Sequence, residues 1–596
     1  MVPWFLRYPK RLQLERTLVS ELASKSDWLI GTEWRVAGDL CLDAVIRAHG
    51  HDYDVRVSFP SLYPDAPSVV RPLNMEQRLS SHQYGGADGP LCLEWGPDNW
   101  HRDVTADLMI ESTYRLLQIE NPAGEERPAI PIPAPSRHML TVGQELRFEW
   151  ARWYASNTLE EYLILHPTPS VGSFKFSWQT GKNWVVLVHE ATILDGDIWK
   201  DAQIPTNLPG AESKDLLNGV WIKADIDAMT ISQCRTLKDL QTLFNDSLGA
   251  DILATDGTSP FSGFDQSLTG VMIKDRAGEL HMFCVLRGDS LTACKKVVSD
   301  ITPTQFRSPD WEALNGKTIG IVGLGSAGSK IAISLVRMGV RNFYLLDHDV
   351  LLPENLQRHA LDWQGVAQHK VDAMAESLGR IAPGVCVESS RLHLIGQESN
   401  AAVSGALNRL AECDLLVDAT ANPKVFNLMA AVARTASKPM VWMEVYGGGI
   451  GGMVAMSRPE VDPTPQDMRG VYLSYCADNP YLTSSQGPAD YAVETDEGDV
   501  LVASDADISI IAHHAARFVP ECFASPERAK YPYSMYLIGL AREWVFEAPF
   551  ATVPISMEFC SAAGWGDNTG QEFSPEDVEF LLGLFKKSED ETSDPT

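Results

Sequence analysis

The stretch "GKTIGIVGLGSAGSKIAISLVRMGVRNFYLLDHDV", residues 316–350, decides the fold. "TIGIVGL" is an apolar run of strand length, "SKIAISLVRMG" carries apolar residues at helical spacing, and Gly323, Gly325 and Gly328 lie at the junction. Asp347 follows about 20 positions on, at the end of a second strand pattern, which is the spacing of a dinucleotide-binding turn. A glycine-rich turn that opens a helix cradles phosphate, because the first N–H groups of a helix have no partner within it. NAD and ATP both carry phosphates, so the turn alone leaves the nucleotide open.

The same alternation continues downstream. A helix is predicted at 370–381, then strand "VCVESS", a helix near 401–411, strand "DLLVDAT", a helix at 425–436 and strand "PMVWMEV". Apolar strands alternating with amphipathic helices imply a mostly parallel, doubly wound sheet over residues 306–585. Upstream, residues 1–125 read as α, then β ("DLCLDAVIRA", "YDVRVSF"), then an irregular Gly/Asp-rich stretch, then a helix "TADLMIESTYRLLQI", the order of an α+β domain. "NPAGEERPAIPIPAPSRH" marks a Pro-rich linker at 126–140. Residues 141–305 alternate short strands ("FKFSWQ", "WVVLVHEATIL", "GVMIKDR", "HMFCVLRG") with helical pieces and carry no legible motif; they read as a middle α+β domain. The acidic end, residues 586–596, is expected to be disordered.

Composition narrows the function. The 596-residue chain has a formal net charge of −30, which argues against general binding to nucleic acid or an anionic membrane surface, since both need a basic footprint. The most apolar stretch is interrupted by Arg434, Lys438 and Glu444, so no transmembrane helix is expected, and the N-terminus lacks a signal-peptide pattern. A cytoplasmic protein is the expectation. Ten cysteines without a CxxC pair indicate neither a disulfide framework nor a zinc ribbon. His513 and His514 lack ligands at metal spacing and read as ordinary helix residues.

Discrimination between NAD and ATP lies in "LLDHDVLLPENLQRHALDWQGVAQHKVDAMAESL". Asp347 ends its strand, where an open α/β sheet presents ligand groups, and suits ribose hydroxyls. Asn355, Arg358 and Lys370 then supply an amide, a guanidinium and an ammonium, cationic chemistry that suits a triphosphate being broken more than a hydride transfer. Asp418 in "CDLLVDATANP" ends another strand, a natural place for a Mg²⁺-binding carboxylate. Singly, Arg358 or Lys370 would be a solvated helix charge; the coincidence of five positions points to Mg-ATP and to attack of a carboxylate on the α-phosphate.

The ordered series of three glycines, Asp347 with Asp349, Asn355 with Arg358, Lys370 and Asp418-Ala419-Thr420 resembles the adenylation domain of ubiquitin-activating enzymes and their bacterial ThiF/MoeB/HesA relatives, over roughly residues 310–565. The resemblance implies that Asp347 binds ribose, that Asn355, Arg358 and Lys370 contact phosphates, that Asp418 holds Mg²⁺, and that the protein is a homodimer.

A second constellation lies in residues 1–125. "YPDAP", His82, "GPLCL" with Cys92, Trp100 and a terminal helix ending in "ENP" resemble the ubiquitin-conjugating fold, whose active cysteine occupies this place. Cys92, flanked by Gly89, Pro90 and Trp95, stands in an irregular stretch where a thiol can be exposed while its backbone is held. The pattern departs from the family at one point: the family's His-Pro-Asn is His82-Gln83-Tyr84 here, so the oxyanion-stabilising Asn is absent and Gln83, His82 or His101 must serve. A conjugating domain fused upstream of an activating domain resembles the CD-NTase-associated protein 2 family of bacterial CBASS antiphage operons. That resemblance implies that the C-terminal glycine of a cGAS-like nucleotidyltransferase is adenylated, passed to an activating-domain cysteine, then to Cys92, then to a target amine. Cys522, Cys476 and Cys560 are candidates for the first thiol. Cys522 is favoured because it follows a Pro at a helix-to-loop transition with Arg528 and Lys530 near in sequence to favour thiolate; Cys413 and Cys386 read as core strand residues. Two readings compete: an NAD-dependent oxidoreductase, and a non-catalytic scaffold in which the degenerate conjugating fold only binds partners.

Overall fold

The computed structural model describes every residue except 1, 74–78, 81, 85–87, 125–141, 194–195, 212–213, 249–268, 287–289, 298–310, 397, 481–491, 495–499, 525–528, 559, 567–573 and 593–596. The predicted Pro-rich linker at 126–140 therefore lies outside the described residues. Chain contacts divide the molecule into Met1–Trp150 and Ala151–Thr596.

The first unit follows the α+β order read from the sequence. Helix Pro9–Lys25 precedes an antiparallel meander of Leu29–Ala37, Asp39–Ala48, His51–Ser58 and Val69–Pro72, and helix Ala106–Glu120 closes the unit. Alternate strand residues Leu42, Ala44, Ile46, Val55 and Val57 are buried against Met109, Ile110 and Leu117 of the last helix. Tyr63 of "YPDAP" is buried too, and its hydroxyl meets Arg11 and Glu15 of the first helix. Glu15 also accepts the Ala106 N–H at 2.8 Å, which ties the first helix to the start of the last.

Residues 151–297 form something the sequence did not suggest. Eight strands run in the spatial order Ala151–Tyr154, Leu291–Val297, Leu280–Val285, Gly270–Lys274, Leu217–Lys223, Ser170–Thr180, Trp184–Ile193, Trp199–Lys200. Ala151–Tyr154 pairs in parallel both with Leu291–Val297 and with Trp184–Ile193, so the sheet closes on itself and Trp199–Lys200 hangs outside the ring. Trp153, Phe174, Phe176, Val186 and Met282 fill its core.

The third sheet carries the glycine turn. Its order is Cys386–Ser390, Asn342–Leu346, Thr318–Val322, Leu415–Asp418, Met440–Val445, Gly451–Ser457, Met535–Gly539, Thr552–Pro554. The first five strands are parallel and the last three antiparallel, as the mostly parallel expectation requires. Chain order reverses at Thr318–Val322: the sheet grows one way through Asn342–Leu346 and the other through Leu415–Asp418. Ligands of such sheets bind at the carboxyl ends of the strands flanking that point. Helix Ser326–Met338 covers the switch strand and is packed in turn by helix Asp505–Glu521, on whose exposed and half-buried flank His513 and His514 fall.

Two local expectations are corrected. Helix Pro575–Thr592 runs through most of the segment expected to be disordered, because the apolar spacing of Val578, Leu581 and Leu582 passes into Lys and Glu residues of good helix propensity. Cys386 is exposed, since it opens the edge strand of the third sheet; Cys413 is buried as expected, but it caps helix Asn400–Glu412 and lies ahead of strand Leu415–Asp418, not in it.

Candidate functional site

At the switch point lies a cavity of ≈ 350 Å³ lined by Gly323, Gly325, Asp347, Asp349, Asn355, Arg358 and Lys370, among others. Seven positions read from the sequence thus converge on one space. The glycines divide the labour. Gly323 has φ +86°, and a Cβ there would fall 2.7 Å from Thr420 Cγ2; a Cβ on Gly328 would fall 1.9 Å from the Gly323 carbonyl oxygen. Those two are required by the turn's own packing, and Gly328 does not line the cavity. Gly325 meets nothing within 4 Å, caps helix Ser326–Met338 without a side-chain bond, and faces open space where an anion can approach the helix N-terminus.

Asp347, 8% exposed, pins the turn: the Leu324 N–H donates to its Oδ2 at 2.6 Å and the Asp349 N–H to its Oδ1 at 2.8 Å. Lys370 Nζ donates to Asp349 Oδ2 at 2.8 Å. Burial would raise the Asp349 carboxyl, but the bond and charge of Lys370, with His348 and His393 nearby, outweigh it and hold the group below its usual range. Asn355 Oδ1 accepts from the Leu352 N–H at 3.0 Å, which orients its amide within the 3-10 turn Pro353–Gln357.

Several functional groups were not legible in the sequence. Lys330, 8% exposed, ion-pairs with Asp505 at 2.8 Å and donates to the Arg358 carbonyl, so it fixes the backbone that carries Arg358. His359 is 7% exposed and lines the cavity; the Leu361 N–H donates to its Nδ1 at 3.1 Å and its Nε2 faces the Leu324 carbonyl at 2.7 Å. A backbone N–H on Nδ1 makes Nε2 the protonated nitrogen. Burial lowers His359 to about 4, with Lys370 and Lys330 adding to the effect. The imidazoles of His348 and His393, both on the cavity wall, stack with centroids 4.0 Å apart.

Asp418 stands one wall away. It is 3% exposed, and its Oδ1 accepts from Thr420 N at 2.9 Å and Thr420 Oγ1 at 2.6 Å. It lines a smaller neighbouring cavity with Glu444, Arg469 and Tyr472, while Ala419 and Thr420 line the larger one; Asn422 borders both. Burial pushes its carboxyl up to about 6. No hydrogen bond reaches its Oδ2 among the described residues. Arg469 offsets that burial only in part, and a buried carboxylate with one oxygen unbonded fits a divalent cation.

The cysteines are placed as follows. Cys92 is 2% exposed, against the expectation of an accessible thiol: the segment pairs back on residues 82–84 and draws Cys92 inward. Gln83 is wholly buried, accepts the Leu79 N–H at 2.9 Å and donates to the Gly89 carbonyl at 3.0 Å, so its amide holds the loop instead of serving an oxyanion. His101 is exposed. Cys522 caps helix Asp505–Glu521 and packs on its core; burial pushes its thiol well up, Asp462 and Glu521 add to this, and Arg458 is the opposing cation. The expected activation is corrected in its outcome: the Cys522 thiol is raised, and the cation acting on it is Arg458, not Lys530, whose backbone N–H donates to Glu521; Arg528 lies outside the described residues. Cys476, half-buried, is also raised by burial, and Cys560 is half-buried.

Residues 299–479 match the ThiF family. Uncharacterized protein y4qC of Sinorhizobium fredii is 32% identical over 437 residues, 68% of this chain and 71% of that protein. The ATP-dependent ubiquitin transferase-like protein Cap2 of Pseudomonas aeruginosa is 33% identical over 127 residues, about a fifth of either chain (21%). Ubiquitin-like modifier-activating enzyme 5 of Drosophila grimshawi is 33% identical over 85 residues, 14% of this chain and 21% of that enzyme. Among solved structures, E. coli MccB with ATP aligns at 16% identity and TM-score 0.32, over 43% of this chain and 69% of that one.

Proposed function

Because this chain belongs to the same family as protein y4qC, and is Cap2-like through its ThiF region, we propose that it uses Mg-ATP to adenylate the C-terminal carboxylate of a protein and carries the acyl group as a thioester. The observation that carries the adenylation reading is the convergence of Gly325, Asp347, Asn355, Arg358 and the Lys370–Asp349 pair on one cavity at a helix N-terminus.

In this reading the triphosphate lies at the turn after Thr318–Val322, Asp347 takes the ribose, and Arg358 and Lys370 face the phosphates, with Asn355 beside them. Asp418 would hold Mg²⁺, which when bound neutralises phosphate charge and sharpens the electrophile at the α-phosphorus. Lys370 moves from Asp349 toward the phosphate as charge develops there, and His359, held neutral, adds no competing charge. The substrate carboxylate attacks the α-phosphorus, an acyl–phosphate bond forms, and pyrophosphate leaves.

The finer steps extend this reading. The substrate is proposed to be a glycine-ended CD-NTase of the cGAS/DncV kind, the setting CBASS antiphage defence in the cytoplasm, the assembly a homodimer, and the relay one from adenylate to Cys522, to Cys92, to a target amine. A thiol carrier suits the task because its thiolate attacks an activated acyl group and leaves when an amine arrives. The physics opposes the Cys522 step, since burial disfavours its thiolate; direct transfer from the adenylate to Cys92 is the outcome that Cys522→Ala would expose by leaving the Cys92 adduct intact. The N-terminal unit's helix, four-stranded meander, cysteine loop and closing helix support the conjugating role. No helix among the described residues is long and apolar enough to cross a membrane.

The nicotinamide reading is tested against this one by thermal shift: Mg-ATP stabilises the protein and NAD does not. Stabilisation by NAD alone would reverse the assignment.

A further inference from the structure

Three residues around Cys92 form an arrangement that the missing Asn leaves unexplained. Gln83 bridges Leu91 in antiparallel fashion, the Cys92 N–H donates to the His82 carbonyl at 2.6 Å, and the Tyr84 N–H donates to the Pro90 carbonyl at 2.9 Å. His82 and Cys92 are therefore opposed residues of an antiparallel pair, a register in which side chains share a face with Cβ atoms about 5 Å apart. Gln83 and Leu91, the next pair, project to the other face and are buried there.

The imidazole of His82 is held from behind. Glu120, the last residue of helix Ala106–Glu120 and 9% exposed, accepts from His82 Nδ1 at 2.8 Å with one oxygen and from Ser80 Oγ with the other. Ser80 Oγ in turn accepts the His82 N–H at 2.8 Å. A carboxylate only accepts, so Nδ1 carries the proton and Nε2 is the basic nitrogen of the neutral ring. A nucleophile with an imidazole opposite it and a carboxylate behind that imidazole is the logic of an activated thiol.

We propose that His82 is the base that takes the proton of Cys92, and that Glu120 is a positioning residue that fixes the His82 tautomer. The proposal rests on the reading of Cys92 as acyl carrier. In the step, the Cys92 Sγ–H proton passes to His82 Nε2, Sγ forms a bond to the acyl carbon, and the donor's bond breaks. The leaving group, a thiolate or AMP, departs with the electron pair; the amine acceptor later displaces Sγ and loses its own extra proton to water, and Sγ recovers its proton from His82.

The test is the rate of Cys92 alkylation by iodoacetamide as a function of pH, followed by peptide mass spectrometry in the native protein. Cys92 is 2% exposed, so absolute rates also report opening of its cover; the inflection in pH reports ionisation. His82→Ala and Glu120→Gln are expected to move the inflection up by about one unit and lower the rate at pH 7 about tenfold, while Glu120→Asp falls between them and the parent. Inflections that coincide in all four proteins, or a native Cys92 that never reacts, overturn the assignment. The relay is read separately, as a reducible adduct of a glycine-ended protein on Cys92 of the parent. A shifted inflection with no adduct overturns the relay and leaves the activation of the thiol standing.

Discussion

Replacing Gly325 by Ala isolates the phosphate cradle from the fold. Its φ is −69°, a conformation that any residue adopts, and the added Cβ meets no atom within 4 Å. Stability then changes by two small opposing effects: reduced freedom of the unfolded chain contributes about 0.4–1 kcal/mol in favour, and an Ala at a helix N-cap costs a few tenths or more. The melting temperature is expected to stay within about 2 °C. The methyl group, however, occupies the space in front of the unpaired N–H groups of helix Ser326–Met338, where the phosphate must come within hydrogen-bond reach. Losing two hydrogen bonds to a charged acceptor, at about 1.5–3 kcal/mol each, lowers Mg-ATP affinity by at least about a hundredfold. Gly328→Ala is the contrast: a Cβ 1.9 Å from a backbone oxygen forces the turn apart and destabilises the protein by about 1–3 kcal/mol or more. Isothermal titration with a nonhydrolysable ATP analogue, beside thermal melts, reads both. Unchanged nucleotide affinity in Gly325→Ala would refute the placement of phosphate at this turn.

Other outcomes follow from the charges. Asp418→Asn keeps an acceptor for Thr420 but removes a carboxylate that burial raises to about 6. A raised carboxyl stabilises the fold only below its unfolded pKa and loses that contribution as pH rises through 6. The variant should therefore be more stable than the parent at pH 8, by at most roughly 3 kcal/mol, and equal to it near pH 3, while Mg²⁺-dependent ATP turnover is lost; equal denaturation midpoints at pH 8 refute this. His359 sits at about 4, below its unfolded value, so stability declines as pH falls from about 6.5 to 4. His359→Gln should flatten that slope, and an unaltered slope refutes the assignment. Lys370→Met leaves Asp349, whose depressed pKa contributes stability at neutral pH that is lost on acidification, without its lysine partner and with His348 at 3.2 Å and His393 still acting on it. The variant's acid-denaturation profile should lose most of that contribution, and its ATP–pyrophosphate exchange should fall at least about tenfold; wild-type exchange would remove Lys370 from the phosphate site.

The parallel sheet was legible because its strands are continuous apolar runs and its helices amphipathic, properties set by neighbouring residues. The closed sheet of residues 151–297 was not, because closure depends on Ala151–Tyr154 pairing with two strands, one more than 130 positions along the chain, and no local pattern encodes that. Leu29–Ala37 was missed because "LIGTEWRVA" shows no clean alternation, and most of its residues are exposed or half-buried. In the site, Asp347, Asn355, Arg358 and Lys370 were readable as an ordered series that crowds one end of the sheet. The His348–His393 stack and the Lys330–Asp505 pair join residues far apart in sequence, so only the fold brings them together. The exposure of Cys92 and the activation of Cys522 were misjudged for one reason: sequence neighbours do not report what packs over a thiol. Glu120 belonged to the "ENP" helix end that suggested a conjugating fold, yet its bond to His82 depends on how that helix crosses the loop.

ATP–pyrophosphate exchange tests the central claim most directly. With Mg²⁺ and a glycine-ended nucleotidyltransferase present, labelled pyrophosphate is expected to enter ATP, and exchange should stop when the substrate's last residue is removed or Asp418 is replaced by Asn. Exchange that needs no protein carboxylate, or none under any of these conditions, would contradict adenylation at this site.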